Sequence, residues 1–221
     1  LSSLSQVDLT RMVGGYTSRE DDKRIADAFE TLHALPIAID DKAGQTVFEI
    51  RAAARRLKAE AGLDLLVVDY FQLMPGTLTR KGATRNEELT DISRRFTEIA
   101  DELNVPVVLV SQLRRLDARR PQLEDLRDCG ALEQDASVVG LLHRKHHLED
   151  GPTEFILAKQ RNGPAGTVML SIARHTTTFT EMDEDEARRL PADEPTKKKR
   201  KFIGGKWRTV QEAGDSLPMD E

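Results

Sequence analysis

The sequence holds a single cysteine, Cys129, in 221 residues, and one thiol excludes a disulfide within the chain. Disulfide frameworks belong to oxidising compartments, so the chain reads as one of a reducing, intracellular environment. No apolar run approaches the roughly 18 residues that a membrane span requires, and no membrane partner is expected. The opening Leu1-Ser2-Ser3-Leu4 has no basic stretch leading into an apolar one, which excludes a signal peptide. It also lacks an initiator methionine, which reads as a fragment or a processed chain. An excess of positive charge is missing too. The formal net charge of -5 argues against a cationic coat for gripping duplex DNA. It leaves room for a local basic channel, because the field that acts on a nucleic acid is local.

What is present is a strand–helix alternation. Residues 1–35 read as helical, with apolar positions scattered among charges. Pro36-Ile37-Ala38-Ile39 reads as a short strand ended by Asp40-Asp41. Thr46 stands three before Glu49, the capping-box signature of a helix start. Val47, Ile50, Ala54, Leu57 and Ala61 follow at helical spacing, and Gly62 closes the helix. Leu65–Val68 is a continuous apolar run, as in a strand buried on both faces of a parallel sheet. A loop over 75–86 with glycines and basic residues precedes an amphipathic helix through Leu89, Ile92, Phe96, Ile99 and Leu103. Asn104 ends that helix, and residues 106–110 form another buried strand. This order predicts right-handed crossovers and a mostly parallel sheet. Further strands are expected at 137–143, 154–159, 166–173 and 176–182, the last three as an antiparallel edge. The expected domain is 1–182. Beyond it, 183–221 is rich in charge and proline and poor in apolar residues, a composition that predicts a disordered charged tail.

Three stretches can carry chemistry. In LLVVDYFQLM, residues 65–74, Asp69 ends a buried strand where ligands bind in open α/β sheets. In nucleotide-hydrolysing sheets an aspartate there holds Mg²⁺ on the phosphates, and the same pattern fits an aspartate that only ends a strand or caps a helix. Gln112 follows the next buried strand, suited either to orienting water or sensing a terminal phosphate, or to satisfying a turn. In LAKQRNGPAGTV, residues 157–168, Lys159 and Arg161 share one side of a strand before a sharp Asn162-Gly163-Pro164 turn. Two cations at a turn suit phosphate recognition across an interface; an exposed basic hairpin has the same pattern.

The order of these segments decides among the readings. VVDYFQLM, a basic loop, an amphipathic helix, NVPVVLVSQL, RPQLEDLRDCGALEQDA and LAKQRNGPAGTV together resemble the DnaB-type hexameric replicative DNA helicases over residues 1–169. The openings LSSLSQVDLTRM and PIAIDDKAGQTVFEIRAAARRL are similar to that family as well. The resemblance implies a RecA-like P-loop NTPase core, incomplete at its N-terminus, that uses ATP with Mg²⁺ to move on single-stranded DNA and unwind duplex at the fork. It implies roles for Asp69 (Mg²⁺), Gln112 (phosphate sensor), and Lys159 and Arg161 (γ-phosphate of a neighbouring subunit). Arg127, Asp128 and Gly130, in a central loop over 126–136, match positions that hold the single-strand backbone, although the family more often has Glu and Ser where Asp128 and Cys129 stand. It also implies a homo-hexamer, primase and loader partners, and a cytoplasmic, nucleoid-associated setting.

One departure matters. The phosphate-cradling pattern G-x-x-x-x-G-K-[S/T] occurs nowhere in the sequence, and its place in the family lies upstream of Leu1 together with the glutamate that activates water. Asp69 is followed by Tyr70, not a second acid. The chain alone is therefore expected to turn over no ATP, and a DNA- or subunit-binding fragment without catalysis stands as the alternative. A RecA-like recombinase is a third reading, disfavoured by YFQLM and KQRNGP. The run Lys197-Lys198-Lys199-Arg200-Lys201 fits a solvated charge run, a nucleic-acid-binding tail or a nuclear import signal.

Overall fold

The structure, a computed structural model, describes residues 1–78, 82–113, 116, 119–144, 151–183, 185, 200–203 and 206–209, with the side chains at 127–129, 151, 200–203 and 206–209 outside the description. The side chains of Arg127 and Asp128, and Lys197–Lys199 with their backbone, therefore lie outside the described residues. Two compact units divide the chain at Met182/Asp183.

The first unit begins with three helices, α1 (Ser2–Ser5), α2 (Leu9–Gly14) and α3 (Arg19–His33). Next come α4 (Val47–Glu60), β1 (Leu66–Val68), a 3-10 turn (Phe71–Leu73), α5 (Arg85–Leu103) and β2 (Val107–Leu109). A 3-10 stretch (Leu123–Cys129) runs into α6 (Gly130–Asp135), followed by β3 (Val138–His143), β4 (Gly151–Gln160), β5 (Gly166–Ala173) and β6 (Thr178–Glu181). β1 and β2 pair in parallel, while β3, β4, β5 and β6 form an antiparallel sheet in that order. Among the described strands the expected proportion is thus reversed: the parallel part has two strands, and β3 joins the antiparallel part. The physical reason is lateral pairing. β3 lies in register with β4 from Val138↔Gln160 to His143↔Glu154, with a shift between Val139 and Gly140. There Phe155 packs so close that a Cβ on Gly140 would meet its ring at 2.6 Å.

Helix ends follow local chemistry. Thr46 caps α4 as expected, its N–H donating to Glu49 Oε2 at 2.9 Å while the Glu49 N–H donates to the Thr46 hydroxyl at 3.3 Å. The same reciprocal box starts α5 at Thr84 and Glu87 and α3 at Ser18 and Asp21. α5 thus begins at Arg85, inside the stretch read as loop. Asn104 ends it with φ 46°, a left-handed value that asparagine tolerates. Pro36–Ile39, expected as a strand, forms none. Ile37 and Ile39 are 60% and 86% exposed, and no described strand runs alongside to take their backbone groups. An apolar run becomes a strand only where a neighbour supplies the ladder.

The core sits between α4, α5 and the β1–β2 pair. Phe71, Ile92, Phe96, Ile99 and Val47 are buried together with Leu89, Leu103 and Val105, and each large side chain contributes about 1.5–3 kcal/mol. α4 and α5 are tied at their rims by Arg51 and Arg55, both on Glu102. Arg95 stands over the Phe48 ring at 4.6 Å and donates to buried Asp91 at 2.7 Å. A smaller cluster of Leu126, Val139, Leu141 and Ile156 lies under β3 and β4. The second unit, within 183–221, contains an antiparallel pair of strands, β7 (Arg200–Ile203) and β8 (Lys206–Thr209), with Phe202 opposite Trp207.

Among the described residues the most buried charge is Asp21, 1% exposed. It accepts from the Ser18 N–H at 3.0 Å and from Arg11 and Arg24. The Ser18 backbone donor and hydroxyl, then Arg24 and Arg11, outweigh burial and hold its carboxyl at about 2. A carboxyl depressed in the folded state stabilises fully above its ordinary value, and that contribution is lost as pH falls through the folded one. The α2–α3 junction is therefore expected to loosen as pH drops from the ordinary 3.8 towards about 2. Denaturant midpoints measured across that range should fall in the parent, and Asp21→Asn should flatten this part of the fall while lowering the midpoint at neutral pH.

Candidate functional site

The register Leu66↔Val107 to Val68↔Leu109 brings the carboxyl ends of β1 and β2 to one edge, where an open α/β sheet offers its crevice. Asp69 leaves β1 there, joined to Tyr70 by a cis peptide bond. Ser111 and Gln112 follow shortly after the end of β2. The ladder continues slightly past both strands: the Val110 N–H donates to the Val68 carbonyl at 3.0 Å and the Phe71 N–H to the Val110 carbonyl at 2.9 Å. Phe71 is fully buried and anchors the 3-10 turn in the core. Asp69 and Gln112 are exposed. Among the described residues the Asp69 carboxylate makes no hydrogen bond or ion pair, so it is available to a ligand.

Two residues that sequence reasoning passed over hold this edge. The Gln72 side chain reaches from the β1 turn to the β2 loop, with Nε2 donating to Ser111 Oγ at 2.8 Å and to the Gln112 carbonyl at 3.0 Å. Arg85, at the start of α5, donates to the carbonyls of Gln72 at 3.0 Å and Met74 at 2.6 Å and pairs with Glu88 at 2.9 Å. Gly76 lets the chain pass there, since a Cβ would collide with the Glu88 carboxyl. The only sign of Gln72 in the sequence is one polar residue inside an apolar stretch, and nothing local tells what it touches.

Lys159 and Arg161 stand at the end of β4, as expected, but their described partners are main-chain carbonyls. Lys159 Nζ donates to the carbonyls of Glu133 and Gln134, the latter at 3.1 Å. Arg161 Nη2 donates to those of Gln134 at 2.9 Å and Asp135 at 3.3 Å. These are the last carbonyls of α6, which have no partner inside the helix. No described hydrogen bond joins either cation to Asp69 or Gln112 within the chain. Arg161 is exposed, and its Nε and Nη1 make no hydrogen bond among the described residues. At the other end of α6, Gly130 has φ -55°, an angle any residue adopts, and a Cβ there would meet nothing within 4 Å. Among the described residues, neither backbone nor packing requires a glycine at that point. Ser93 of α5 holds the last residue of α6, its hydroxyl donating to the Asp135 carboxylate at 2.6 Å.

Comparison with known proteins places the whole first unit. The family model described as DnaB-like helicase C terminal domain matches residues 1–181. The chain is 42% identical over 191 residues to the replicative DNA helicase DnaB of Mycobacterium intracellulare, covering 82% of this chain and 33% of that protein. It is 39% identical over 178 residues to the replicative DNA helicase DnaC of Bacillus subtilis, covering 76% of this chain and 39% of that protein. It thus spans well under half the length of these curated relatives. Among solved structures it is similar to a DnaB-like replicative helicase described with its interactions with primase, with a TM-score of 0.75 and 31% identity over 82% of this chain and 46% of that one. No described helix is long and apolar enough to cross a membrane.

A cation on the last turn of a helix contributes about 0.3–1 kcal/mol. Lys159→Met is therefore expected to speed hydrogen exchange of the α6 amides by about two- to fivefold, with the amides of α4 and α5 unmoved. Unchanged exchange in α6 would mean that Lys159 does not hold its end.

Proposed function

The chain belongs to the DnaB-like helicase C-terminal domain family, and on that footing we propose that it is the motor segment of an ATP-driven replicative helicase with a RecA-like core, moving on single-stranded DNA and unwinding duplex at the fork. The observation that carries the reading is the juxtaposition of Asp69 and Gln112 at one sheet edge, with Lys159 and Arg161 displayed elsewhere. The Asp69 carboxylate is exposed and without a described internal partner. A single carboxylate of this kind suits a Mg²⁺ ion kept mostly by phosphate oxygens and water, the usual manner of that ion. When bound, the ion neutralises charge on the β- and γ-phosphates. Gln112, exposed at the same edge, carries both an amide donor and an acceptor, able to orient a water or to meet the terminal phosphate.

Arg161 acts on a neighbour in this reading. Its guanidinium is exposed, and two of its three nitrogens make no described hydrogen bond. It is pinned to α6 rather than turned towards its own Asp69, so the phosphate it meets is one held by the next subunit of a ring, a homo-hexamer in this family. Lys159 works beside it. The charge of a guanidinium does not titrate away, and its planar fork fits phosphate oxygens. Gly130, Arg127 and Asp128 form the strand-binding part. A glycine that the fold itself does not require suits close approach of a phosphate backbone to the main chain, and Arg127 adds a cation. Such contacts carry no sequence information. The setting is the cytoplasm, with primase and a loader as partners, and the segment 183–221 is read as an appendage outside the motor. The basic run 197–201 would make it nuclear only if it serves as an import signal.

By itself this 221-residue chain is expected to hydrolyse ATP negligibly, since it contains no G-x-x-x-x-G-K-[S/T] segment to hold the β- and γ-phosphates. The decisive experiment uses the chain extended at its N-terminus by such a segment. Arg161→Ala and Asp69→Ala subunits should each be inactive alone, because an arginine finger is worth on the order of a thousandfold or more. Mixed rings contain interfaces with an intact Asp69 on one side and an intact Arg161 on the other, and should recover part of the ATPase rate. Mixed rings as dead as either parent, with subunit exchange demonstrated, would rule out action in trans. A near-normal rate for Arg161→Ala alone would reduce it to an exposed basic hairpin.

A further inference from the structure

Gln72 holds a part of the edge to which it does not belong. The turn that carries it is already secured. Phe71 is fully buried, the Leu73 N–H donates to the Tyr70 carbonyl at 3.1 Å, the Met74 N–H to the Phe71 carbonyl at 3.3 Å, and Arg85 covers the Gln72 and Met74 carbonyls. The side-chain amide of Gln72 takes no part in this. It crosses to the loop after β2, where Nε2 donates to the Gln112 carbonyl at 3.0 Å and Oε1 accepts from the Gln112 N–H at 3.3 Å. These two partners, a pure donor and a pure acceptor, fix which way the amide faces, and Nε2 donates a third bond to Ser111 Oγ at 2.8 Å. One primary amide thereby pairs with both main-chain groups of a single residue, as an adjacent strand would. It does so at the point where the β1–β2 ladder has run out. Both peptide planes flanking the Gln112 Cα are held, while the Gln112 side chain stays exposed.

We infer that Gln72 is a positioning residue for hydrolysis: it clamps the Gln112 backbone so that this side chain is presented at a set place opposite Asp69. The inference rests on the reading of Gln112 as the group that meets the nucleotide. The need for such a clamp is physical. Asp69 and Gln112 leave different strands, and Gln112 lies beyond the last registered pair of β2. Unclamped, the loop would sample positions about an ångström or more apart, and misplacement by about 1 Å can cost about a hundredfold in rate. Arg85 adds a second tie to the same turn, so α5 is coupled to the edge through the Gln72 main chain and Gln112 through its side chain.

The test is steady-state ATPase activity and ATP binding in the chain extended at its N-terminus by a phosphate-binding segment. Gln72→Met keeps the length of the side chain and removes its donors and acceptor. It is expected to lower kcat by about 10- to 100-fold while the Kd for ATP moves by less than about threefold, a split that general loss of structure would not give. Placed on a Gln112→Ala background, it should cost nothing further, because residues acting as a unit are not additive. A multiplicative loss in the double variant would overturn the inference, as would an unchanged kcat in Gln72→Met while Asp69→Ala is dead. Full activity in Asp69→Ala or in Gln112→Ala would instead overturn the reading beneath it. If Gln72→Met does not fold, Gln72→Glu takes its place. Its carboxylate keeps an acceptor for the Gln112 N–H but cannot donate to the carbonyl. The same loss in kcat and the same lack of additivity are expected.

Discussion

Burial of Phe71 is the constraint on which the carboxyl edge depends. It packs with Ile92, Phe96 and Ile99 between α5 and the parallel pair, and large aromatic side chains in such cores are worth about 3–5 kcal/mol against alanine. With Phe71 immobile, its N–H reaches the Val110 carbonyl at 2.9 Å. The residues on either side of it are forced to opposite tasks. Tyr70 and Asp69 return towards the end of β1, and Gln72 turns away from the core to meet the loop of the adjacent strand. A short parallel pair, registered only from Leu66↔Val107 to Val68↔Leu109, is a weak element on its own. The apolar anchor directly after it converts that pair into a fixed platform.

Electrostatics is used differently at the other candidate group. Lys159 and Arg161 neutralise the carbonyl end of α6, a helix of six residues too short to be stable by propensity alone. Its C-terminal end is held from outside, by these cations and by the Ser93–Asp135 contact from α5. The segment that carries Gly130 is thereby connected mechanically to β4 and to α5. In the proposed ring, a phosphate drawing on the same cations would compete with the α6 carbonyls for them. The N-terminal helices show a third use of charge, where buried Asp21 gathers Arg11, Arg24 and the Ser18 cap into one junction.

Much of this is legible along the chain. The apolar spacing of α4 and α5, the Thr46 capping box, the paired apolar runs around Asp69 and before Gln112, and the same-side placement of Lys159 and Arg161 are all short-range patterns. The physics that produces them acts within a few residues. The boxes at Ser18–Asp21 and Thr84–Glu87 are equally local and equally readable. Pro36–Ile39 reads as a strand and is none, because an apolar run has no conformation of its own until a neighbouring strand pairs with it. β3 departs from the parallel expectation for a related reason: its side-chain pattern does not say whether its partner runs parallel or antiparallel.

By itself, then, the sequence determined most of the helices, where the chemistry-bearing residues fall relative to strand ends, and, through the order of its motifs, the family. Those depend on spacing and on residue type. Tertiary structure alone decided that Gln72 clasps Gln112 across 40 positions, that Arg85 closes over the same turn, and that Lys159 and Arg161 rest on the end of α6. Hydrogen bonds between side chains and distant main chain leave no periodic trace. A glutamine satisfied by solvent and one that clamps a neighbouring strand are the same letter until the fold brings the partner within about 3 Å.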